Sequence, residues 1–522
     1  MSRFSAIVPF VFLFTLLLSL CAPSCSVPES EYLQTQCLRV PVSEFVGSMG
    51  TTLRFIEDVV STILKFGKFF RDFRLTNAVS DCLDLLDLSA EELRWAISAS
   101  QNPKGSKHNS TGDLSYDLRT WLSAALVNQD TCLDGFEGTS SILKSLIAGG
   151  LNRITSMVHE LLVQVDSNTK SRSPGNTLSG TNRDKNGEFP AWVKHEDRKL
   201  LVVNGVTPDA IVAADGTGNF TKIMDAVEAV PDYSMRRFII YVKKGVYNEY
   251  VEIKKKKWNI MMVGDGIVMT VITGNHNFID GWTTFRSATI AVNGRGFIAR
   301  DITFENTAGP EKHQAVALRC DSDLSVFYRC EFKGYQDTLY THTMRQFYRE
   351  CRVSGTVDFI FGDGTVVFQN CQILAKKGLP NQKNTITAQG RKDPYQPTGY
   401  SIQFCNISAD TDLLPYVNST DTYLGRPWKN DSRSVFMENY MSDAINPKGW
   451  LEWNGNLYLD TLYYAEYSNY GPGAVLKNRV RWPGFHILNT TAEASNFTVA
   501  QFIEGNLWLP ATGVSYTAGL QE

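Results

Sequence analysis

Two aspartates and two glutamines are spaced as members of one site would be. Asp337 and Asp358 stand 21 residues apart, and Gln314 and Gln336 stand 22 apart. Asp337 lies in Gly334-Tyr-Gln-Asp-Thr-Leu-Tyr340 and Asp358 in Gly355-Thr-Val-Asp-Phe-Ile-Phe-Gly362, so apolar and aromatic neighbours surround both acids. If a step of 21 or 22 residues is one turn of a repeating fold, each pair stacks side by side on neighbouring strands. Two carboxylates held that close do not both ionise cheaply: one stays charged while the other keeps its proton near neutral pH. A charged carboxylate is a nucleophile or base, and a neutral one is an acid. The two amides then cluster with the two carboxylates on one face. The competing reading is an Asn/Asp ladder that only supports a solenoid.

Other chemistries lack their signs. The chain has no G-x-S-x-G elbow, no H-E-x-x-H, no paired C-x-x-C and no phosphate-binding loop. No metal or cofactor is expected. The seven His are scattered, and His276, His313 and His342 read as surface or core residues rather than triad members. Lys254 to Lys257 is a basic run beside strand-like sequence. It reads as a solvated edge and only weakly as a polyanion contact.

The elements that must position the acids are visible as a repeat. Phe297-Ile-Ala-Arg-Asp301, Phe327-Tyr-Arg-Cys330, Phe347-Tyr-Arg-Glu-Cys351, Phe368-Gln-Asn-Cys371 and Phe404-Cys405 resemble one another, with steps of 20 and 21 residues from Phe327 to Phe347 to Phe368. β-rich repeats of this period with no helix between them predict a parallel β-helix. Leucine-rich repeats share the period, but their Leu/Asn signature is missing. Coils stack about 4.8 Å apart. A disulfide between adjacent coils is compatible with that spacing. Cys351 lies one coil from both Cys330 and Cys371, and spacing leaves both pairings open.

The first half differs. Residues from about Ser43 to Asp166 carry helical apolar spacing, Asp113 is placed to cap one helix, and a four-helix bundle is expected. Residues 167–206 are polar and poor in apolar side chains, which predicts a linker. Near its end Arg198-Lys199-Leu200-Leu201 forms a dibasic candidate for a processing protease. Residues 1–26, with Arg3 before an apolar run from Ile7 to Leu20, read as a secretory signal peptide, with a retained membrane anchor as the alternative. Secretion would admit disulfides among the ten Cys and glycosylation at sequons such as Asn219 and Asn406. The formal net charge of −3 names no partner, and a monomer that binds no nucleic acid is expected.

The quoted segments, with Asn306-Thr-Ala-Gly-Pro310, Gln314-Ala-Val-Ala-Leu-Arg319 and Leu424-Gly-Arg-Pro-Trp428, resemble the signature segments of plant pectin methylesterases from about Pro208 to Trp508. The helical region, residues 27–166, resembles the inhibitor-like pro-region that such enzymes carry, and residues 207–522 would be the enzyme domain. The resemblance implies an all-α bundle followed by a right-handed parallel β-helix, secreted to the plant cell wall, acting on methyl-esterified pectin. It assigns Asp358 as nucleophile, Asp337 as acid/base and Gln336 as transition-state stabiliser. It places Gln314, Arg426, Trp428 and Thr284 in the substrate site and implies a Cys351–Cys371 disulfide. Proteinaceous pectin methylesterase inhibitors are possible partners. Cys82 and Cys132 match one inhibitor-type disulfide, but Cys37 has no matching mate, so the bundle reads as a folding or retention module ended by cleavage near Arg198–Leu201.

Asp363 departs from the family pattern and adds a carboxylate close to the site in sequence, which could shift the pH optimum. Alternative readings are a polygalacturonase, a pectate lyase or a non-catalytic wall-binding protein. An inverting glycosidase needs its carboxylates about 6.5–9.5 Å apart, which one-coil stacking disfavours. A lyase of the usual kind wants a calcium-binding acid cluster.

Overall fold

The computed structural model describes residues 37–67, 72–102, 110–139, 142–166 and 207–521. The signal segment and Arg198-Lys199-Leu200-Leu201 lie outside them. Where apolar residues recur at helical spacing, four helices form: α1 (Val42–Gly67), α2 (Phe73–Gln101), α3 (Leu114–Asp134) and α4 (Ile142–Gln164). Asp72 and Asp113 cap α2 and α3, their side chains accepting the Leu75 and Tyr116 N–H groups at 2.8 and 3.0 Å. Leu85, Leu93, Leu122 and Leu151 fill the bundle interior. Cys82 and Cys132 form a disulfide between α2 and α3. No described helix is long and apolar enough to cross a membrane.

From Ala210 onward the strands join three sheets of eleven, seven and eight strands, each following the chain coil by coil. Every ladder between them is parallel, so the architecture is a parallel β-helix. One corner repeats a left-handed residue: Asp301, Arg329, Glu350, Asn370 and Phe404 have φ of 59°, 50°, 54°, 56° and 56°. Such values are uncommon outside glycine. Stacking sustains them, because Arg329, Glu350 and Asn370 donate their N–H groups to Arg349, Gln369 and Gln403 carbonyls on the next coil at 3.0–3.1 Å.

The corner fixes the register, and it differs from a reading based on phenylalanine alone. Phe327 stands beside Tyr348, and Tyr348 beside Phe368. Their rings stack inside the solenoid at 4.7 and 4.6 Å. Phe347 points the other way, into a separate cluster with Val326 and Val367. Neighbours in a strand face opposite ways, and Phe347-Tyr348 offers an aromatic to each face.

The same corner stacks Cys330, Cys351, Cys371 and Cys405, each following a left-handed residue. The expected Cys351–Cys371 disulfide is not formed: all four thiols are free and buried. Equivalent positions on parallel coils aim their side chains the same way at about the coil spacing, whereas a disulfide wants its Cβ atoms about 3.8 Å apart. Three of the thiols instead reach back to a carbonyl of the preceding coil: Cys351 to Phe327 at 3.3 Å, and Cys371 to Tyr348 and Cys405 to Phe368, both at 3.6 Å; Cys330 bonds Tyr328 on its own coil at 3.5 Å.

The bundle docks on the seven-stranded sheet. Arg345, fully buried, bridges Asp117 of α3 and Asp323 of the solenoid at 2.7 Å each. Trp121 Nε1 donates to Asp323 at 3.2 Å, and Thr131 bonds His342, which is hydrogen-bonded in turn to Asp321. Removing one member of such a buried pair typically costs about 3–5 kcal/mol.

The thiol column gives a direct check. Peptide mapping without reduction should find Cys82 linked to Cys132 and Cys330, Cys351, Cys371 and Cys405 as thiols that alkylate only after unfolding. A Cys351–Cys371 peptide in native protein would contradict the arrangement.

Candidate active site

Asp337 and Asp358 each precede a short strand of the seven-stranded sheet by two residues, and those strands pair Leu339 with Ile360. The two aspartates therefore occupy the same position on adjacent coils, and Asp337 N–H donates to the Val357 carbonyl at 3.0 Å. Both have left-handed backbones, φ 61° and 51°. Both are buried, at 7% and 6% exposure.

Their partners differ, and that separates them. Asp358 receives both arms of Arg426, Nε at 2.8 Å and Nη2 at 2.6 Å. This fork is the strong geometry for a carboxylate. Thr385 closes the other side: its hydroxyl donates to Asp358 Oδ1 at 2.6 Å and accepts the Asp358 N–H at 2.8 Å. The Arg426 guanidinium lies over the Trp453 ring at 4.3 Å. Asp337 has no such cation of its own. Burial first, then the Asp358 charge, pushes its carboxyl well above the usual range; Arg426 opposes this, and Glu137 from the bundle adds to it. The pair thus holds one carboxylate aimed by a guanidinium fork and one carboxyl pushed well above its usual range.

The amides stand on the same ladder. Ala315 N–H donates to the Gln336 carbonyl at 3.3 Å, the pattern of a parallel ladder in which Gln314 is beside Gln336. The 22-residue step is absorbed just after it, where the Thr338 carbonyl accepts both Ala317 and Leu318 N–H groups, at 2.8 and 3.4 Å. Phe361 stacks on Tyr340 at 4.1 Å, and Trp428 meets Phe361 at 6.1 Å, giving an aromatic strip beside the carboxylates. Gly390 makes room for that indole, since a Cβ there would lie 2.9 Å from Trp428 Cε3. Thr284 caps a short 3-10 turn two coils away, its carbonyl accepting the Ser287 hydroxyl at 2.8 Å, and makes no direct contact with the acid pair.

Two residues were missed. Thr385 occupies the same ladder position as Asp337 and Asp358, because Ile360 pairs with Thr387. A longer step of 27 residues hid it. Trp453 lies outside the repeat and had no signal at all. Asp363 needs correction: it turns from the pair and is buried against residues 389–398, accepting Gln389 at 2.9 Å and Gln396 and Thr398 at 2.6 Å.

The bundle covers this face. Its apolar core is continuous with Tyr340, Phe361 and Ala388 of the sheet, and Leu133, Trp428 and Trp453 pack against the same cluster.

A parallel β-helix with a polarised carboxyl pair, paired amides and an aromatic strip on one sheet belongs to the class of solenoid hydrolases that work on extended polymers. The chain is a member of the pectinesterase family: the Pectinesterase model matches residues 209–506, and the plant invertase/pectin methylesterase inhibitor model matches 19–168. A pectinesterase/pectinesterase inhibitor of Prunus persica is 67% identical over 95% of this chain and 92% of its own. A probable pectinesterase/pectinesterase inhibitor of Arabidopsis thaliana is 64% identical over 98% of both. Among solved structures, the pectin methylesterase from carrot is 53% identical with a TM-score of 0.60, over 60% of this chain and 99% of that one. An Aspergillus niger pectin methylesterase is 31% identical with a TM-score of 0.51, over 58% and 97%.

Burial raises Asp363 to about 6 from its ordinary 3.8. A carboxyl raised on folding binds a proton that the unfolded chain has lost, so stability falls as pH rises from about 4 to 6, by on the order of 2–3 kcal/mol. Asp363→Asn should flatten the pH dependence of Tm across that window. The pH profile of activity should keep its shape, since Asp363 does not face the pair.

Proposed function

We propose that this chain hydrolyses the methyl esters of pectin, releasing methanol and leaving galacturonate carboxylates in the plant cell wall. The observation that carries the reading is the unequal pair: Asp358 gripped by Arg426 and Thr385, one coil from a buried Asp337 that has no such partner and whose carboxyl is pushed well above its usual range. Family membership agrees with it.

In this reading Asp358 attacks the C6 carbonyl carbon and forms a tetrahedral intermediate. The Gln314 and Gln336 side-chain amides donate to its oxyanion. Loss of one such donor typically costs about 100- to 1,000-fold in rate. Asp337 gives its proton to the departing methoxy oxygen, methanol leaves, and an anhydride between Asp358 and the galacturonyl group remains. Water then attacks that acyl group as Asp337 takes a proton back, and cleavage frees the Asp358 carboxylate. Arg426 holds Asp358 aimed through its two-armed contact. Trp428 offers its face to a sugar ring, and Thr284 lies farther along the same side for a distant part of the chain. Residues 1–26 as signal, 27–166 as pro-region, 167–206 as linker with cleavage near Arg198–Leu201, and 207–522 as enzyme complete the proposed organisation.

Asp358→Asn should abolish methanol release from methylated pectin while leaving thermal unfolding unchanged. A folded Asp358→Asn protein of near-normal activity would overturn the nucleophile assignment. New reducing ends or unsaturated products would point to a glycosidase or a lyase.

The bundle lies over the aromatic strip, so the intact chain should be poorly accessible to polymer. With a specific protease site placed in residues 167–206, cutting and removing the bundle should raise methanol release by about tenfold or more, as expected when most molecules are held in a covered state. Equal rates before and after cutting would leave the bundle a folding or retention role alone.

A further inference from the structure

Thr385 makes the two oxygens of Asp358 unequal. It lies one coil beyond Asp358 in the column that begins at Asp337, since Leu339 pairs with Ile360 and Ile360 with Thr387. Three successive coils thus carry Asp, Asp and Thr at one corner. Thr385 is buried, at 1% exposure, and its own N–H is tied to the Thr356 carbonyl at 3.1 Å.

The ladder changes at this threonine. Asp337 gives its N–H to a backbone carbonyl of the next coil, that of Val357, at 3.0 Å. Asp358, in the same position one coil on, gives its N–H to a side chain instead, Thr385 Oγ1, at 2.8 Å. An N–H only donates, so the hydroxyl oxygen is the acceptor there and its single proton points elsewhere. It points to Asp358 Oδ1, at 2.6 Å. The backbone bond therefore fixes the direction of the side-chain bond, and a β-branched side chain held at both ends has little freedom to turn.

An ionised carboxylate offers about two lone pairs on each oxygen. Oδ1 accepts two donors, the Thr385 hydroxyl and Arg426 Nε at 2.8 Å. Oδ2 accepts one, Arg426 Nη2 at 2.6 Å, and among the described residues nothing else donates to it. The Arg426 fork alone would not separate the two oxygens, because it serves each with one N–H. Thr385 supplies the difference.

We propose that Asp358 attacks through Oδ2, and that Thr385 is the positioning residue that selects it, filling Oδ1 and holding the carboxylate plane so that the open lone pair keeps one direction. This rests on the esterase reading. In the step, an Oδ2 lone pair forms the bond to the ester C6, and the carbonyl π pair moves onto the carbonyl oxygen. As that pair returns, the bond from C6 to the methoxy oxygen breaks, and the methoxy oxygen keeps the electron pair and takes the Asp337 proton. Oδ2 is then the bridging atom of the anhydride. Oδ1 becomes its carbonyl oxygen and keeps both donors, so Thr385 stays in place throughout. Arg426 Nη2 loses a charged acceptor as the bond forms and regains it when water cleaves the anhydride. A third acid at this corner would add a like charge, and an apolar residue would leave the Asp358 N–H buried and unpaired.

The test uses full-length chains and a short methyl-esterified oligogalacturonate, with methanol release as the rate. Thr385→Val keeps the shape and removes the hydroxyl. Its kcat should fall about 10- to 100-fold, the range for losing one hydrogen bond to a charged group. KM should stay within about twofold, because Thr385 touches the nucleophile and not the substrate. Thr385→Ser restores both bonds and should recover kcat to within about threefold of the unaltered chain. Thr385→Cys, a weaker donor of similar size, should fall between the two and decides the matter if Thr385→Val does not fold. A crystal structure of the Thr385→Val chain should show the Asp358 carboxylate turned about its Cβ–Cγ bond or in two orientations. A normal kcat in Thr385→Val and Thr385→Cys, a loss confined to KM, or a loss that Thr385→Ser does not reverse would overturn the proposal. So would a Thr385→Val structure in which the carboxylate has not moved. Methanol release by the unaltered chain separates the two readings. Release that survives loss of the hydroxyl sinks only the role of Thr385; no release from the unaltered chain sinks the esterase, and attack through Oδ2 with it.

Discussion

Coils stacked in register about 5 Å apart force like residues together, and most of the charge chemistry in this chain depends on that spacing. At Asp337 and Asp358 it sets two carboxyls close enough that they cannot share one protonation state. At the preceding corner of each coil it stacks four thiols that stay free. Along the sheet it sets Gln314 beside Gln336, although their step is one residue longer, because a local bulge takes up the difference. The same constraint makes the acid pair expensive for the fold. Arg426, Thr385 and the Trp453 ring offset that cost on one side only, and this asymmetry gives two identical side chains different partners and leaves the Asp337 carboxyl pushed up.

How much of this was legible in the sequence depended on whether a residue kept the period. Asp337, Asp358 and the paired glutamines kept it, and their neighbourhood could be read from spacing before any coordinates. Thr385 belongs to the same column, but the extra length of its coil broke the count, and a threonine in Asn384-Thr-Ile-Thr-Ala-Gln389 looks like ordinary strand sequence. The Phe347–Tyr348 pair misled for the opposite reason, since each face of that strand received an aromatic and the period alone could not say which pointed in. The left-handed corner decides it, and that corner has no fixed residue type: Asp, Arg, Glu, Asn and Phe all occupy it. Trp453 and the role of Asp363 depend on tertiary contacts with segments far away in the chain, which no local pattern encodes. The bundle was readable as four helices, yet its place on the sheet was not, because the contacts that fix it are single residues such as Asp117, Trp121 and Thr131, scattered along α3.

That docking ties the two halves into one electrostatic system. Buried ion pairs add little net stability over apolar packing, but losing one partner leaves a buried charge exposed to no solvent and no counter-ion. Arg345 between Asp117 and Asp323 is such a case. The bundle cannot leave without uncovering Arg345 and the apolar strip of Tyr340, Phe361 and Trp428. Those surfaces become tolerable only when water or a sugar polymer replaces the helices. Covering the site and stabilising the chain are therefore one interaction seen from two sides.

The bundle also acts on the acid itself. Burial is the largest cause of the raised Asp337 carboxyl, and Glu137, in the turn after α3, contributes a further negative charge. Both effects weaken when the helices depart and solvent enters. Asp358 stays one coil away and Arg426 stays bound to it, so the pair remains polarised but with a smaller separation. A substrate that fills the cleft would expel water again and restore the burial without restoring Glu137. The proton on Asp337 is thus held most firmly in the covered chain and next most firmly under substrate. It is weakest in the open, empty site, which places the acid in its useful state when an ester is present to receive the proton.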